Sequence, residues 1–223
     1  MRIRDVALTV TGLEEAARFY AEVLELPVVA GPGRVTVAIG SSRLVLTQGD
    51  EVAGVHHLAF GIAPADFALA RAWLGRRVEP LVVDGSEVVV GPDGWDSESL
   101  YFVGPEDVVL ELIARQADVG VPAGDGEVPR PLSISEIGIS VPDVADAVRS
   151  LTGGLGLPTF PPQGTHFAPV GGHDGLVILV HEDRTWWPTD GLQASRGPVA
   201  VQLEAPRAGQ VSLRASATVR GGD

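Results

Sequence analysis

Two positions combine a side chain that can do chemistry with a sequence context that would bury it. Glu111 stands within the otherwise apolar run Val108–Ile113. A carboxylate on the buried face of a strand must be paired, hydrogen-bonded or bound to a metal ion. His56 and His57 lie near the start of the strand-like run Val55–Ile62, and because strand side chains alternate, only one of them faces the same interior. An imidazole and a carboxylate together suit acid–base chemistry or metal binding.

The composition removes most other kinds of site. The 223-residue chain has no Cys, which excludes disulfides, thiolate nucleophiles and Cys-ligated metal centres. All 16 basic residues are Arg, so a Schiff-base lysine and a P-loop are excluded as well. Metal-assisted chemistry, general acid–base chemistry and plain ligand binding remain.

The charge balance argues against polyanionic partners. Sixteen basic and 29 acidic residues give a net charge of −13, which repels nucleic acid and anionic lipid. No apolar run approaches the roughly 20 residues that span a bilayer, and the segment 1–5 lacks a signal peptide's apolar stretch. The sequence therefore predicts a cytoplasmic protein whose partner is a small molecule, not a nucleic acid or a membrane.

An internal repeat organises these residues. Residues 1–29 align without a gap to residues 132–160: Ile3 matches Ile134, and Leu26-Pro27 matches Leu157-Pro158 at the same offset of 131. A weaker third copy begins at Val55. Each copy shows an alternating strand, an amphipathic helix and further strands, so the repeated unit is βαβββ.

The repeat gives a division of the chain. We expect a first unit (1–52), a second unit that pairs with it (53–115), a linker (116–132), a degenerate third unit (133–190), and tail strands forming a possible truncated fourth unit (191–223). With three full units, the third must pair with the tail or with another chain. We therefore expect a homodimer, the commonest closed oligomer.

Tandem βαβββ units resemble the vicinal oxygen chelate superfamily, which includes glyoxalase I, extradiol dioxygenases, fosfomycin-resistance transferases and bleomycin-binding proteins. The stretch VHHLAFGIAPADF, at 55–67, is similar to the second-unit start of the fosfomycin-resistance group. SLYFVGPEDVVLEL, at 99–112, is similar to the superfamily's last strands. The resemblance implies an α+β fold in which tandem βαβββ modules form cup-shaped mixed sheets.

The same resemblance implies a metal site. Carrying over the superfamily's ligand positions gives Asp5, His57 and Glu111, although the first of these is usually His. Such a set would hold Mn, Fe, Zn or Ni in a bare site of zero net charge, open to a substrate with two adjacent oxygens. Two plainer interpretations stay open: Asp5 as a solvated carboxylate at a strand start, and His57 as a core histidine.

Further site residues follow from the matched strands. Tyr101 matches the active-site Tyr of extradiol dioxygenases and is the candidate catalytic residue, while Trp95, Ser99 and Tyr101 are the candidate substrate-binding residues. Glu136 stands at the ligand position of the third unit's first strand. The last strand of that unit has no acidic residue, so the unit is interpreted as non-catalytic.

Several departures narrow the activity. Val45 stands where glyoxalase I has a fourth ligand, and no His lies near Ser42 or Pro92, where extradiol dioxygenases carry acid–base histidines. Gly91 and Gly120 replace the cationic residues of fosfomycin-resistance proteins, which disfavours that activity.

Two hypotheses remain. In the first, the protein is a divalent-metal-dependent dioxygenase, isomerase or lyase acting on a small oxygen-chelating metabolite. In the second, it is a metal-free antibiotic-resistance protein of the bleomycin-binding type, in which Trp95 and Tyr101 stack on an aromatic ligand.

Overall fold

The computed structural model describes residues 1–222, which form fourteen strands and three α-helices. The strands are β1 (Ile3–Val10), β2 (Val28–Gly31), β3 (Arg34–Ile39), β4 (Ser42–Gln48), β5 (His57–Ile62), β6 (Val88–Val90), β7 (Ser97–Val103), β8 (Val109–Arg115), β9 (Pro131–Val141), β10 (Phe167–Gly172), β11 (Gly175–His181), β12 (Val199–Glu204), β13 (Gly209–Arg214) and β14 (Ala217–Gly222). The helices are α1 (Leu13–Arg18), α2 (Phe67–Leu74) and α3 (Val144–Leu155). No helix within residues 1–222 is both long and apolar enough to cross a bilayer.

The strands form two seven-stranded mixed sheets. The terminal sheet, built from residues 3–48 and 199–222, has the order β13-β14-β12-β1-β4-β3-β2. The middle sheet, built from residues 57–181, has the order β10-β11-β9-β5-β8-β7-β6. The predicted α+β class with cup-shaped mixed sheets is confirmed.

The pairing of the units differs from the sequence-based expectation. The second unit pairs with the third, through antiparallel β5 and β9, and the first unit pairs with the tail, through antiparallel β1 and β12. The first two units therefore do not share a sheet. The physical reason is that β12 offers alternating apolar residues that extend the core of the first unit, and β5 is buried along its whole length beside β9.

The tail and the linker also differ in detail. The expected tail strands are β12, β13 and β14, and the last two form an antiparallel pair. The expected linker forms a short 3₁₀ turn at Gln116–Asp118 and a loop, and its last two residues, 131 and 132, already belong to β9. Because the tail completes the terminal sheet, the odd unit finds its partner within the chain. The homodimer stays a prediction.

One apolar core lies between the sheets and the helices. Alternation assigns one face of each strand to it, as with Leu110 and Leu112 on β8 or Val177 and Leu179 on β11. Helix α3 contributes an apolar face, and its N-terminus is capped by Asp143, whose Oδ1 accepts from the Asp146 amide at 2.8 Å. The opposite face of the middle sheet carries a smaller apolar cluster around Trp95, Ile178, Val180 and Trp186, and that face holds the candidate site.

Candidate metal centre

Three neighbouring strands of the middle sheet bring an imidazole and two carboxylates together. His57 opens β5, and Ala59, on the same face, pairs with Glu111 of β8 on one side and Glu136 of β9 on the other. One ligand atom from each of His57, Glu111 and Glu136 lies within 4.8 Å of the others, and all three residues are buried. Strand alternation places them on one face, and sheet register places Glu111 and Glu136 at the level of Ala59, two residues from His57.

The orientation of His57 is fixed by its backbone neighbour. Its Nδ1 lies 3.1 Å from the Val109 carbonyl, and since a carbonyl only accepts, Nδ1 carries the proton. Nε2 is left free and lies 3.5 Å from Glu111 Oε2 and 4.0 Å from Glu136 Oε2. This arrangement, with one ring nitrogen held by a backbone carbonyl, is the one found for metal-ligating histidines.

The pKa values of the cluster residues reflect the short distances between their charged groups. Burial, followed by the charge of Glu136, raises the pKa of Glu111 to about 7. Burial alone would lower the pKa of His57, but the carboxylates of Glu136 and Glu111 outweigh it and raise that pKa overall. Glu111 Oε2 is buried without a hydrogen-bond partner within residues 1–222. A cation bound between the three groups would satisfy this oxygen and relieve the repulsion of the two carboxylates.

The cluster therefore fits a divalent metal ion. One neutral imidazole nitrogen and two carboxylate oxygens form a borderline-to-hard donor set suited to Mn²⁺, Fe²⁺ or Zn²⁺. A metal ion held by these three groups alone would keep coordination positions open, as catalytic sites do and closed structural sites do not.

A basic residue lies next to the cluster. Arg115, at the end of β8, is 1% exposed and forms an ion pair with Glu136. Its Nε also lies 3.3 Å from Ser135 Oγ, and its guanidinium carbon lies 5.3 Å from the Trp95 ring centre. The group of His57, Glu111 and Glu136 thus has a positively charged side chain beside it.

Tyr101 stands directly opposite Glu111 in the β7–β8 ladder. Burial first, and then the charges of Glu111 and Glu136, raise the pKa of Tyr101 well above its usual value. Its hydroxyl therefore stays protonated at neutral pH and can donate a hydrogen bond to a group bound at the cluster.

The cluster lies in the wall of a cavity of about 460 Å³. Its lining is largely aromatic and aliphatic, with Trp95, Tyr101, Phe167, Trp186 and Trp187 among the lining residues. A cavity of this size suits a single small molecule.

The tryptophans line the cavity in different ways. Trp186 is buried, donates from Nε1 to the Val55 carbonyl at 2.7 Å, and packs 5.3 Å from the His57 ring. Its neighbour Trp187 is 51% exposed and meets Tyr101 edge-on at 5.6 Å. Trp95 is buried and donates to the Pro161 carbonyl at 2.7 Å. Trp186 and Trp95 are therefore fixed parts of the cavity wall, while Trp187 borders solvent.

The structure brings most of the predicted site residues together. His57, Glu111, Tyr101, Trp95 and Ser99 all line this cavity. Of the two plain interpretations left open, the core-histidine one does not explain why His57 Nε2 faces two carboxylates.

Asp5 requires a correction. It lies on β1 of the terminal sheet, where its Oδ1 accepts from Arg43 Nε at 2.6 Å. It was assigned to the metal because the first and second units were expected to share a cup, and they do not. Glu136, from the unit expected to be non-catalytic, occupies the place assigned to Asp5.

Sequence reasoning placed Glu136 at a ligand position but interpreted its unit as non-catalytic, and it missed Arg115 and the packing of Trp186 over the cluster. The signal for Glu136 was the offset of 131, which aligns it with Asp5. Like Glu111 in β8, it is the single acidic residue of its strand. Nothing in the local pattern marked Arg115, because its partner lies on a strand that is 21 residues away in sequence.

Comparisons with solved structures support the fold. A "putative dioxygenase" from Bacillus subtilis subsp. subtilis matches with a TM-score of 0.64 and 14% identity, over 99% of this chain and 85% of that one. The chain has the vicinal oxygen chelate fold. A glyoxalase I mutant from Zea mays matches with a TM-score of 0.57 and 16% identity, over 90% of this chain and 74% of that one. No protein-family model and no curated protein sequence matches the chain.

Proposed function

We propose that this vicinal oxygen chelate protein is a divalent-metal-dependent enzyme acting on a small metabolite with two adjacent oxygens. The observation that carries the proposal is the buried group of His57, Glu111 and Glu136, in which a carboxylate oxygen has no hydrogen-bond partner within the described chain. A buried polar atom of this kind costs about 1–3 kcal/mol unless something binds it.

The residues of the site take distinct roles in this proposal. His57 Nε2 and one oxygen from each glutamate hold the ion, and the Val109 carbonyl keeps His57 in the binding tautomer. When bound, the ion supplies Lewis-acid polarisation of the substrate oxygens. Tyr101 donates a hydrogen bond to the oxygen on which negative charge develops. Trp95 and Trp186 exclude water, which strengthens these electrostatic interactions.

The cavity suggests the class of substrate. Its aromatic walls favour a planar, largely apolar molecule, and its volume limits that molecule to a single ring with short substituents. Among dioxygenase, isomerase and lyase reactions, we place dioxygenation first. The Bacillus subtilis protein, which matches almost the whole chain, is described as a "putative dioxygenase", and the lining offers few acid–base groups beyond the three proposed ligands and Tyr101.

The metal assignment is tested by elemental analysis and calorimetry on protein purified without a histidine tag. We expect close to one equivalent of Mn, Fe, Zn or Ni in the wild type and none in Glu111→Ala. The matched control is Glu98→Gln, which alters an exposed glutamate on the neighbouring strand β7 and should leave metal content unchanged. Absence of bound metal, together with no binding of added Mn²⁺ or Fe²⁺, would refute the proposal.

The reaction type is tested next by oxygen uptake with a panel of catechols and α-hydroxycarbonyl compounds on Fe²⁺- and Mn²⁺-loaded protein. Metal-dependent uptake supports dioxygenation. Substrate loss without oxygen uptake points to the isomerase or lyase class.

A metal-free binding function is the second candidate, and the aromatic lining favours it. In that case, planar aromatic ligands would quench the fluorescence of Trp95 and Trp186 equally well with and without chelator. If binding instead disappears when EDTA is added, the ligand is bound through the ion and this alternative is wrong.

A further inference from the structure

Arg115 is the buried cation nearest the proposed metal centre. It ends β8, it stands opposite Ser97 in the β7–β8 ladder, and only 1% of its surface is exposed. Removing a guanidinium from water costs several kcal/mol unless charged and polar groups compensate it. The groups that compensate the buried charge of Arg115 therefore indicate its role.

The two carboxylate oxygens of Glu136 have different neighbours. Arg115 Nη2 binds Glu136 Oε1, whereas Glu136 Oε2 faces the cluster, 4.0 Å from His57 Nε2. Ser135 Oγ at 3.3 Å and the face of Trp95 fix the other side of the guanidinium. Because one oxygen of Glu136 is held, the direction of the other is set before any ion binds.

We propose that Arg115 is a positioning residue that presents Glu136 Oε2 to the bound ion and makes the loaded centre cationic. This inference rests on the proposed metal-dependent function. Two glutamates neutralise a divalent ion, so the guanidinium leaves the centre with one net positive charge, where the sequence had predicted none. Such a centre favours an anionic oxygen chelator over a neutral one.

A bystander arginine would behave in the opposite way. A positive charge that merely lies near the ion repels it, so removing the charge should tighten metal binding. A positioning arginine orients a ligand, so its removal should weaken metal binding by about ten- to a hundredfold, as loss of other groups that orient metal ligands does. The sign of the change therefore separates the two roles.

The experiment measures Mn²⁺ affinity by calorimetry and the Mn²⁺ electron paramagnetic resonance spectrum for the wild type, Arg115→Met and Arg115→Lys. We expect Arg115→Met to bind Mn²⁺ at least about tenfold more weakly, with an altered spectrum. Arg115→Lys, which retains the charge but has a single donor group, should fall in between. Arg71→Met, which breaks an exposed pair with Glu87, is the control and should match the wild type.

A second titration, with oxalate on the Mn²⁺-loaded proteins, tests the charge. Arg115→Met should bind oxalate more weakly than the wild type, and Arg115→Lys should bind it nearly as well. Equal oxalate affinity in all three proteins would overturn the charge role.

The outcomes are separable. If the wild type binds Mn²⁺ and Arg115→Met binds it equally or more tightly, the positioning role is wrong and the proposed function stands. If the wild type does not bind Mn²⁺, both fall. Should Arg115→Met fail to fold by circular dichroism, Arg115→Lys decides, because an unchanged affinity and spectrum there would also overturn the inference.

Discussion

The two sheets have the same strand pairing around their central strands, but they carry different side chains at equivalent positions. In the middle sheet, Ala59 pairs with Glu136 on one side and Glu111 on the other, and His57 lies two residues earlier. In the terminal sheet, Gln202 holds the position of Ala59.

Gln202 pairs with Asp5 on one side and Arg220 on the other, and Ala200 lies two residues earlier. Asp5, Ala200 and Arg220 therefore stand where the middle sheet has Glu136, His57 and Glu111. One carboxylate remains, the imidazole is replaced by a methyl group, and the second carboxylate by a cation. Asp5 itself is paired with Arg43, which is 64% exposed.

The difference shows that backbone register alone does not make the site. Both sheets offer three neighbouring positions on one face, but within residues 1–222 only the middle sheet buries them under aromatic side chains. The comparison can be tested by exchanging equivalent residues.

The largest expected effect is on stability, from Glu136→Ala set against Asp5→Ala. Removing Glu136 leaves Arg115 buried and unpaired, which lowers the free energy of unfolding by about 3–5 kcal/mol. The loss should lie at the low end of this range, because removing Glu136 also relieves its repulsion with Glu111. Removing Asp5 should cost no more than about 1 kcal/mol. Urea unfolding of the metal-free proteins measures both, and equal losses would contradict the comparison.

The next effect is on metal binding. His57→Ala makes the middle sheet resemble the terminal sheet at Ala200, and we expect Mn²⁺ affinity to fall by at least about a hundredfold, more than for a group that only orients a ligand. His56→Ala is the matched control, since His56 projects from the opposite face of the chain. Calorimetry should show wild-type Mn²⁺ affinity for the control; a parallel loss there would indicate a folding defect.

A third exchange concerns the approach of Trp186 to β9. A Cβ at Gly138 would lie 2.2 Å from Trp186 Cη2, whereas the equivalent residue of the terminal sheet is Ala7. Gly138→Ala should therefore displace Trp186, destabilise the protein by about 1–3 kcal/mol and shift its fluorescence. Gly153→Ala on α3, where a Cβ meets nothing within 4 Å, should instead stabilise by about 0.5–1 kcal/mol.

The smallest effect is expected for the terminal sheet's own ion pair. A double-mutant cycle of Asp5→Ala and Arg43→Ala should give a coupling of at most about 1 kcal/mol. It should vanish in about 1 M salt, where screening acts over roughly 3 Å. A larger, salt-resistant coupling would mean that the terminal sheet is a second buried site.

Much of the fold could be predicted because its signals are local. The alternation of apolar residues specifies strands and helices from neighbours in sequence, and the repeat at an offset of 131 shows that the same pattern recurs. The pairing of units could not be predicted in this way, since every unit presents a similar apolar face. The predicted ligand set was wrong at Asp5 for the same reason. Asp5 and Glu136 occupy equivalent strand positions, and the pairing of the units decides which of them lies beside His57 and Glu111.

The placement of the sheets along the chain also bears on how the protein is made. β1 pairs with β4 on one side, but its partner on the other side is β12, where Leu203 stands opposite Ile3. The terminal sheet is therefore complete only after almost the entire polypeptide has been made. Residues 57–181 contain every strand of the middle sheet. On the ribosome, the sheet that carries the candidate metal site can therefore form while the final strands are still being synthesised, and the terminal sheet closes last.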